Sequence, residues 1–140
     1  MSISVYVNFN GNCREAVEFY AEVFKAEQPK FMTFGDVPDD PSFPLTEDVK
    51  KLVMNASLTI NGSVVMFSDT PPFMPFTAGN NISLVINNNN LDEITALFNK
   101  LKVGGSVSME LQETFWSKCY GFVIDKFGIG WQLNYEEEKK

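Results

Sequence analysis

Apolar and polar residues alternate over three stretches of this chain, a period of two that is typical of strands with one buried face. The alternation is clearest over residues 3–9, 53–60 and 81–87. Shorter runs with strand-forming residues, bounded by Gly, Pro or Asn, predict the remaining strands. These further strands are predicted at residues 28–35, 63–68, 106–112, 120–125 and 130–135.

Two longer stretches, residues 13–24 and 91–101, instead carry apolar residues at the three- and four-residue spacing of a helix. The apolar stripe of the second helix consists of Leu91, Ile94, Leu97, Phe98 and Leu101. Asn12 and Asn90 precede the two helices, and Asn is a favoured N-cap residue. Glu15 follows Asn12 by three residues, so the first helix is predicted to begin with a capping box.

Turn residues separate these elements. Asn61-Gly62 is a strong hairpin signal between two strands, and the segment from Asp125 to Gly128 predicts a second tight turn. Prolines indicate a loop at residues 36–44 and a linker at residues 70–79. A short turn of helix is predicted at residues 46–51.

The order of elements is therefore strand, helix and three strands, and it occurs twice. We predict an α+β fold with a first βαβββ module at residues 1–69 and a second at residues 80–135. The linker at 70–79 joins them, and residues 136–140 form a charged tail. The alternative is an α+β domain with coincidental symmetry. Two matching hairpins and two matching strand-to-helix starts favour the duplication.

Composition excludes several partners. The net charge is −7, from 11 Lys and Arg against 18 Asp and Glu, which argues against nucleic-acid binding. No apolar run is long enough to span a bilayer, and the N-terminus lacks the pattern of a signal peptide. We therefore expect no membrane partner and a cytoplasmic location. Cys13 and Cys119 form no Cys-x-x-Cys pair and are expected to be free thiols.

Several short segments, taken together and in order, resemble a known superfamily. They are Asn8–Ala16, Phe19-Tyr20, Val53–Leu58, Met66–Asp69, Thr114–Trp116, Gly121 and Asp125–Gly128. The chain is similar to the vicinal oxygen chelate superfamily, which includes glyoxalase I, bleomycin-resistance proteins and extradiol dioxygenases. It looks closest to the PhnB-like branch, also labelled 3-demethylubiquinone-9 3-methyltransferase-like. The resemblance spans nearly the whole chain, and it is specific for a fold and not for a reaction.

The resemblance implies that each βαβββ module curls a mixed sheet into half of a cup, with ligands on the concave side. It also implies a homodimer. Alternation sorts the strand residues between the two faces. The core face is predicted to hold Val7, Phe9, Leu84, Ile86, Trp131 and Leu133. The predicted ligand-binding residues are Tyr6, Asn8, Asn55, Ser57, Met66, Ser83, Trp116 and Gln132. Trp116 either stacks on a flat ligand or packs at the rim or at a dimer contact.

Catalytic members of the superfamily usually hold a divalent metal in this cup. The resemblance places the ligands at Ser4 or Tyr6, Met66, Asn81 or Ser83, and Gln132. Only Gln132 is of a type that the family uses, because the thioether of Met66 is a poor ligand for hard divalent ions. Many PhnB-like chains carry His at the positions of Asn55 and Ile129, and this chain has no His. We therefore predict neither a metal nor another cofactor.

Three functions remain open at this point. The first is a metal-free protein that binds an unknown small molecule. The second is a lyase, isomerase or dioxygenase with a weak metal held through Gln132, and the third is a non-catalytic structural or regulatory module. Without His the chain lacks the commonest general base, and Asp69 and Asp125 are predicted to be structural. No Gly-rich nucleotide loop follows the first strand, so the methyltransferase label finds no support.

Overall fold

The computed structural model describes residues 1–38, 40–42 and 44–137 of the chain. The chain divides into two compact units, Met1–Thr77 and Ala78–Lys140. The division lies inside the Pro-rich segment at residues 70–79. Within the described residues, no helix is both long enough and apolar enough to cross a membrane.

The first unit contains one four-stranded mixed sheet. Its elements are β1 (Val5–Phe9), α1 (Cys13–Val23), β2 (Met32–Thr33), α2 (Glu47–Lys50), β3 (Val53–Ile60) and β4 (Ser63–Asp69). The strand order is β1-β4-β3-β2. β1 runs parallel to β4, whereas the other neighbouring pairs are antiparallel. The helix α1 therefore connects the two edges of the sheet.

The second unit repeats this topology. Its elements are β5 (Ser83–Asn88), α3 (Leu91–Leu101), β6 (Ser106–Gln112), β7 (Tyr120–Ile124) and β8 (Gly130–Tyr135). The strand order is β5-β8-β7-β6, and β5 runs parallel to β8. These two open sheets confirm the prediction of an α+β fold with two βαβββ arrangements.

One face of each sheet is covered by the long helix of its unit. In the first unit Tyr20 of α1 stacks against Phe67 of β4, with their ring centroids 5.8 Å apart. In the second unit Phe98 of α3 and Trp131 of β8 are both almost fully buried. Burying a large apolar side chain contributes about 1.5–3 kcal/mol, so the packing on these two faces stabilises each unit.

The side-chain alternation is close to the predicted one. Phe9, Ile86, Trp131 and Leu133 are buried as predicted. Val7 and Leu84, which were assigned to the same faces, are only half-buried. Leu91 begins α3 but is 46% exposed, so it does not belong to the buried stripe of that helix.

The strand predicted at residues 28–35 is wrong over most of its length. Only Met32 and Thr33 pair with β3, and a single turn of 3-10 helix follows at Phe34–Asp36. The reason is local capping, because the backbone N–H of Thr33 donates to the Asp36 carboxylate at 2.9 Å. This hydrogen bond lowers the pKa of Asp36, and it closes a turn where the pattern indicated an extended chain.

The other local predictions vary in their outcome. The hairpin at Asn61-Gly62 is confirmed, since both residues have positive φ angles, 49° and 86°. The predicted helical turn at residues 46–51 is present as α2. Within the loop predicted at residues 36–44, Asp39 and Phe43 lie outside the described residues, as do residues 138–140 of the predicted tail.

Candidate functional site

The start of α1 is held by a carboxylate from a distant strand. The backbone N–H groups of Gly11 and Cys13 donate to Oδ1 of Asp69 at 3.0 and 2.9 Å. The N–H of Val53 donates to Oδ2 at 2.9 Å. The prediction that Asn12 caps α1 is wrong, because its side chain makes no capping hydrogen bond. Asp69 is 4% exposed and satisfies the helix end from β4, the strand that pairs with β1.

Cys13 lies directly beside this carboxylate. Burial, reinforced by the negative charge of Asp69, raises the pKa of the Cys13 thiol from 9.0 to about 12. The thiolate is the reactive form of cysteine, so Cys13 is an unreactive thiol at neutral pH. Burial also raises the pKa of Cys119. Both cysteines are free, as predicted.

The start of α3 is held differently. The side chain of Asn90 accepts a hydrogen bond from the backbone N–H of Glu93 at 3.1 Å, which confirms Asn90 as the N-cap. The side chain of Asn88 accepts in turn from the N–H of Asn90 at 2.8 Å. Each capping bond here joins residues two or three positions apart in the sequence.

Asp125 organises the turn between β7 and β8. Its Oδ1 accepts from the backbone N–H groups of Phe127 and Ile129 at 2.8 and 3.1 Å. Its Oδ2 accepts from the indole N–H of Trp131 at 2.8 Å. The predicted structural role of Asp125 is confirmed. The carboxylate is 3% exposed and already accepts three donors, so it is not placed to act as a general base.

The predicted ligand-binding residues of the first unit lie mostly on the face of the sheet that α1 does not cover. Tyr6 and Ser57 both pair with Met66 in register, on opposite sides of β4. Asn8 lies two pairs further along β1, on the same face, and accepts from the Ser68 hydroxyl at 3.1 Å. Asn55 is exposed and pairs with Met32 of the short edge strand.

In the second unit the corresponding face carries a hydrogen-bonded row of three side chains. The hydroxyl of Tyr120 donates to Oε1 of Gln132 at 2.7 Å, and Nε2 of Gln132 donates to Oγ of Ser83 at 2.7 Å. The row crosses β7, β8 and β5, which are adjacent strands. Burial raises the pKa of Tyr120, so its phenol stays protonated at neutral pH and remains a donor.

Trp116 extends this row with an aromatic surface. Its ring lies 5.3 Å from the ring of Tyr120 and 4.7 Å from that of Phe115, both in edge-to-face contact. Trp116 is 54% exposed. Ser117 holds the loop in place, because its hydroxyl reaches the carbonyl oxygens of Cys119 and Tyr135 at 2.9 and 3.2 Å.

The structure thus brings Ser83, Gln132 and Trp116 together through Tyr120, a residue that was not among the predicted site residues. Strand parity alone places Tyr120 on the face of Phe122, and the structure adds that Phe122 pairs with Gln132. The same face also carries a bond from Nδ2 of Asn134 to Oδ1 of Asn87, at 2.9 Å. Oδ1 of Asn134 is buried and has no hydrogen-bond partner among the described residues.

The side chains at the positions implied for a metal do not suit a hard divalent ion. Met66 offers a thioether, and Ser4 and Asn81 precede the strands β1 and β5. Gln132 contributes a single neutral amide oxygen, which already accepts from the hydroxyl of Tyr120. Across the described ranges 1–38, 40–42 and 44–137, no three His, Cys, Asp or Glu side chains are grouped as metal ligands. The residues present therefore do not fit the metal of the superfamily.

The repeated βαβββ topology is the fold of the glyoxalase/bleomycin resistance/dioxygenase, or vicinal oxygen chelate, superfamily, and glyoxalase-related and fosfomycin-resistance proteins of known structure share it. Within that class, a family profile described as 3-demethylubiquinone-9 3-methyltransferase matches residues 1–134. The chain belongs to this PhnB-like family.

Individual relatives agree with this assignment. The chain is 34% identical to protein PA1353 of Pseudomonas aeruginosa, with a TM-score of 0.85 and 99% of each chain covered. It is 29% identical to the PhnB protein of Bacillus cereus, with a TM-score of 0.73, covering 97% of this chain and 100% of that one. Protein YjdN of Escherichia coli is 32% identical over 96% of this chain and 95% of its own length.

Proposed function

We propose that this protein binds a small molecule on the exposed face of its second sheet, and that it does so without a metal ion. The observation that carries the proposal is the row Ser83–Gln132–Tyr120, extended by the exposed ring of Trp116. Small-molecule sites combine apolar and aromatic surface with a few fixed polar groups, which is the composition of this face. The exposed face of the first sheet, with Tyr6, Ser57 and Met66, is proposed as a separate binding surface.

The chemistry of the row favours binding over turnover. The chain has no His, and the buried carboxylates Asp69 and Asp125 each accept three hydrogen bonds. Tyr120 keeps its proton because burial raises its pKa. The row therefore offers donors, acceptors and an aromatic ring, whereas it offers no group that would take a proton from a substrate near pH 7.

Binding is tested by NMR titration of the isotope-labelled, EDTA-treated protein with three uncharged bicyclic compounds: indole, 2-quinolone and 2-naphthol. We expect the side-chain amide of Gln132 and the indole N–H of Trp116 to shift on addition of at least one compound. Gln132→Ala should weaken that binding about fivefold, because one hydrogen bond contributes about 1 kcal/mol and the row loses its central member.

Gln28→Ala is the matched control. Gln28 is exposed and belongs to the first unit, outside the sheet that carries the row. We expect its removal to leave the dissociation constant unchanged. The proposal is wrong if none of the three compounds shifts these resonances up to its solubility limit, or if the two Gln variants weaken binding equally.

A further inference from the structure

The second sheet is almost free of charge, although the chain as a whole is strongly charged. The strands β5, β7 and β8, which carry the row, contain no Lys, Arg, Asp or Glu. The edge strand β6 contains Glu110, which is the single charged residue of the sheet. The chain has 11 Lys and Arg and 18 Asp and Glu, so its charges are distributed unevenly.

Three charged residues close in sequence to β7 have partners of their own. Lys118 forms an ion pair with Glu137. The ammonium group of Lys126 lies 5.3 Å from the ring centroid of Phe127. The carboxylate of Asp125 accepts the three hydrogen bonds that form the turn. No cation of β5, β7 or β8 is therefore present to pair with an anionic ligand, and no anion of these strands is present to pair with a cation.

We infer that the ligand of this face is an uncharged, planar molecule that carries both a hydrogen-bond donor and an acceptor. A charged ligand would lose its hydration on this face without gaining a counter-charge, which is costly. The amide of Gln132 has a second N–H and a second lone pair beyond the bonds of the row, so it serves both a donor and an acceptor. Trp116 supplies the ring on which a flat molecule stacks. This inference rests on the proposed function and adds the class of ligand to it.

Three probes of nearly equal shape separate charge from other effects. Indole-3-carboxamide is neutral, indole-3-carboxylate is anionic at pH 7, and protonated indol-3-ylmethylamine is cationic. In NMR titrations of the full chain, we expect the carboxamide to bind at least tenfold more tightly than either ion. A carboxylate or an ammonium that binds as tightly as the carboxamide would overturn the inference and leave the proposed function intact. If no member of the series binds, the proposed function itself fails on this face.

A designed counter-charge gives an independent test. Val85 pairs with Gln132 in register and is 47% exposed, so the substitution Val85→Lys adds a cation beside the row. We expect Val85→Lys to raise the affinity for the carboxylate about tenfold relative to the carboxamide. Val103→Lys adds the same charge at a position that is 63% exposed and follows α3. It should leave the ratio of the affinities for the carboxylate and the carboxamide unchanged. Equal effects of the two variants would overturn the inference.

Discussion

The two units share one topology and use their polar side chains differently. In the first unit the buried carboxylate of Asp69 accepts from three backbone N–H groups and joins two segments of the chain to its own strand. In the second unit the most extended polar group is the row Ser83–Gln132–Tyr120, which lies on a partly exposed face. The same fold thus places a structural network in one unit and an array of available donors and acceptors in the other. For this reason we propose the second unit as the principal binding unit.

The buried carboxylates sharpen this difference. Asp69 and Asp125 each accept three N–H donors, but the partners of Asp69 lie 58, 56 and 16 residues away in the sequence. Those of Asp125 lie two, four and six residues away. Asp69 therefore holds distant segments together, whereas Asp125 shapes one hairpin.

The largest predicted effect follows from this contrast. Asp69→Ala leaves three backbone N–H groups without an acceptor, two of them in buried surroundings, and should lower the free energy of unfolding by about 4 kcal/mol. Asp125→Ala should cost about 2 kcal/mol, because two of its three donors lie in a surface turn where water replaces the carboxylate. Urea unfolding followed by far-ultraviolet circular dichroism measures both values. Glu22→Ala, an exposed carboxylate on α1, is the control and should cost less than about 0.5 kcal/mol. Equal losses of unfolding free energy for Asp69→Ala and Asp125→Ala would contradict the proposed difference between the two carboxylates.

The same contrast explains what the sequence could predict. The segment Asp125 to Gly128 is a local pattern, so it predicts both the tight turn and the structural role of the Asp125 carboxylate. The role of Asp69 depends on which residues the sheet brings next to it, and no local pattern contains that information. The Asn12 prediction failed for this reason, since a favourable cap residue was present and a distant carboxylate took the hydrogen bonds instead.

For the candidate site, alternation was enough to place Ser83 and Gln132 on the same face. The hydrogen bond between Ser83 and Gln132 requires that β5 and β8 pair in parallel. The order of the elements alone does not give this pairing, and only the resemblance to the superfamily implied it. Tyr120 was missed because its link to Gln132 depends on the registration of β7 with β8 and on the direction of a long side chain. Local patterns therefore predicted which residues share a face, but not which of them are hydrogen-bonded.

The thiol beside Asp69 predicts a pH dependence. The pKa of Cys13 is raised from 9.0 to about 12 in the folded protein, so its contribution to stability is complete below pH 9 and is lost as the pH approaches 12. Between pH 9.5 and 11, the unfolding free energy of the parent protein should fall more steeply than that of Cys13→Ala, by about 1.4 kcal/mol per pH unit. Denaturation under reducing conditions measures this difference. Cys119→Ala, in the second unit, should differ less from the parent protein in the slope of unfolding free energy against pH. Parallel curves for Cys13→Ala and the parent protein would contradict the account.

The two helix starts give the smallest predicted effect. Asn90→Ala removes the side-chain acceptor of α3 and should lower the free energy of unfolding by about 1 kcal/mol. Asn12→Ala should change it by less than about 0.3 kcal/mol, because Asp69 and not Asn12 accepts the N–H groups at the start of α1. Thermal and urea unfolding of the two variants, side by side, measure the difference. A larger loss for Asn12→Ala would show that Asp69 does not act as the cap of α1.

The central claim is that the exposed face of the second sheet is a metal-free binding surface for an uncharged, planar molecule. A crystal structure of the EDTA-treated protein with indole-3-carboxamide tests it most directly. The account predicts electron density for the probe against the ring of Trp116, with its amide hydrogen-bonded to the side chain of Gln132. Density for the probe confined to other surfaces, with the row Ser83–Gln132–Tyr120 uncontacted, would contradict it.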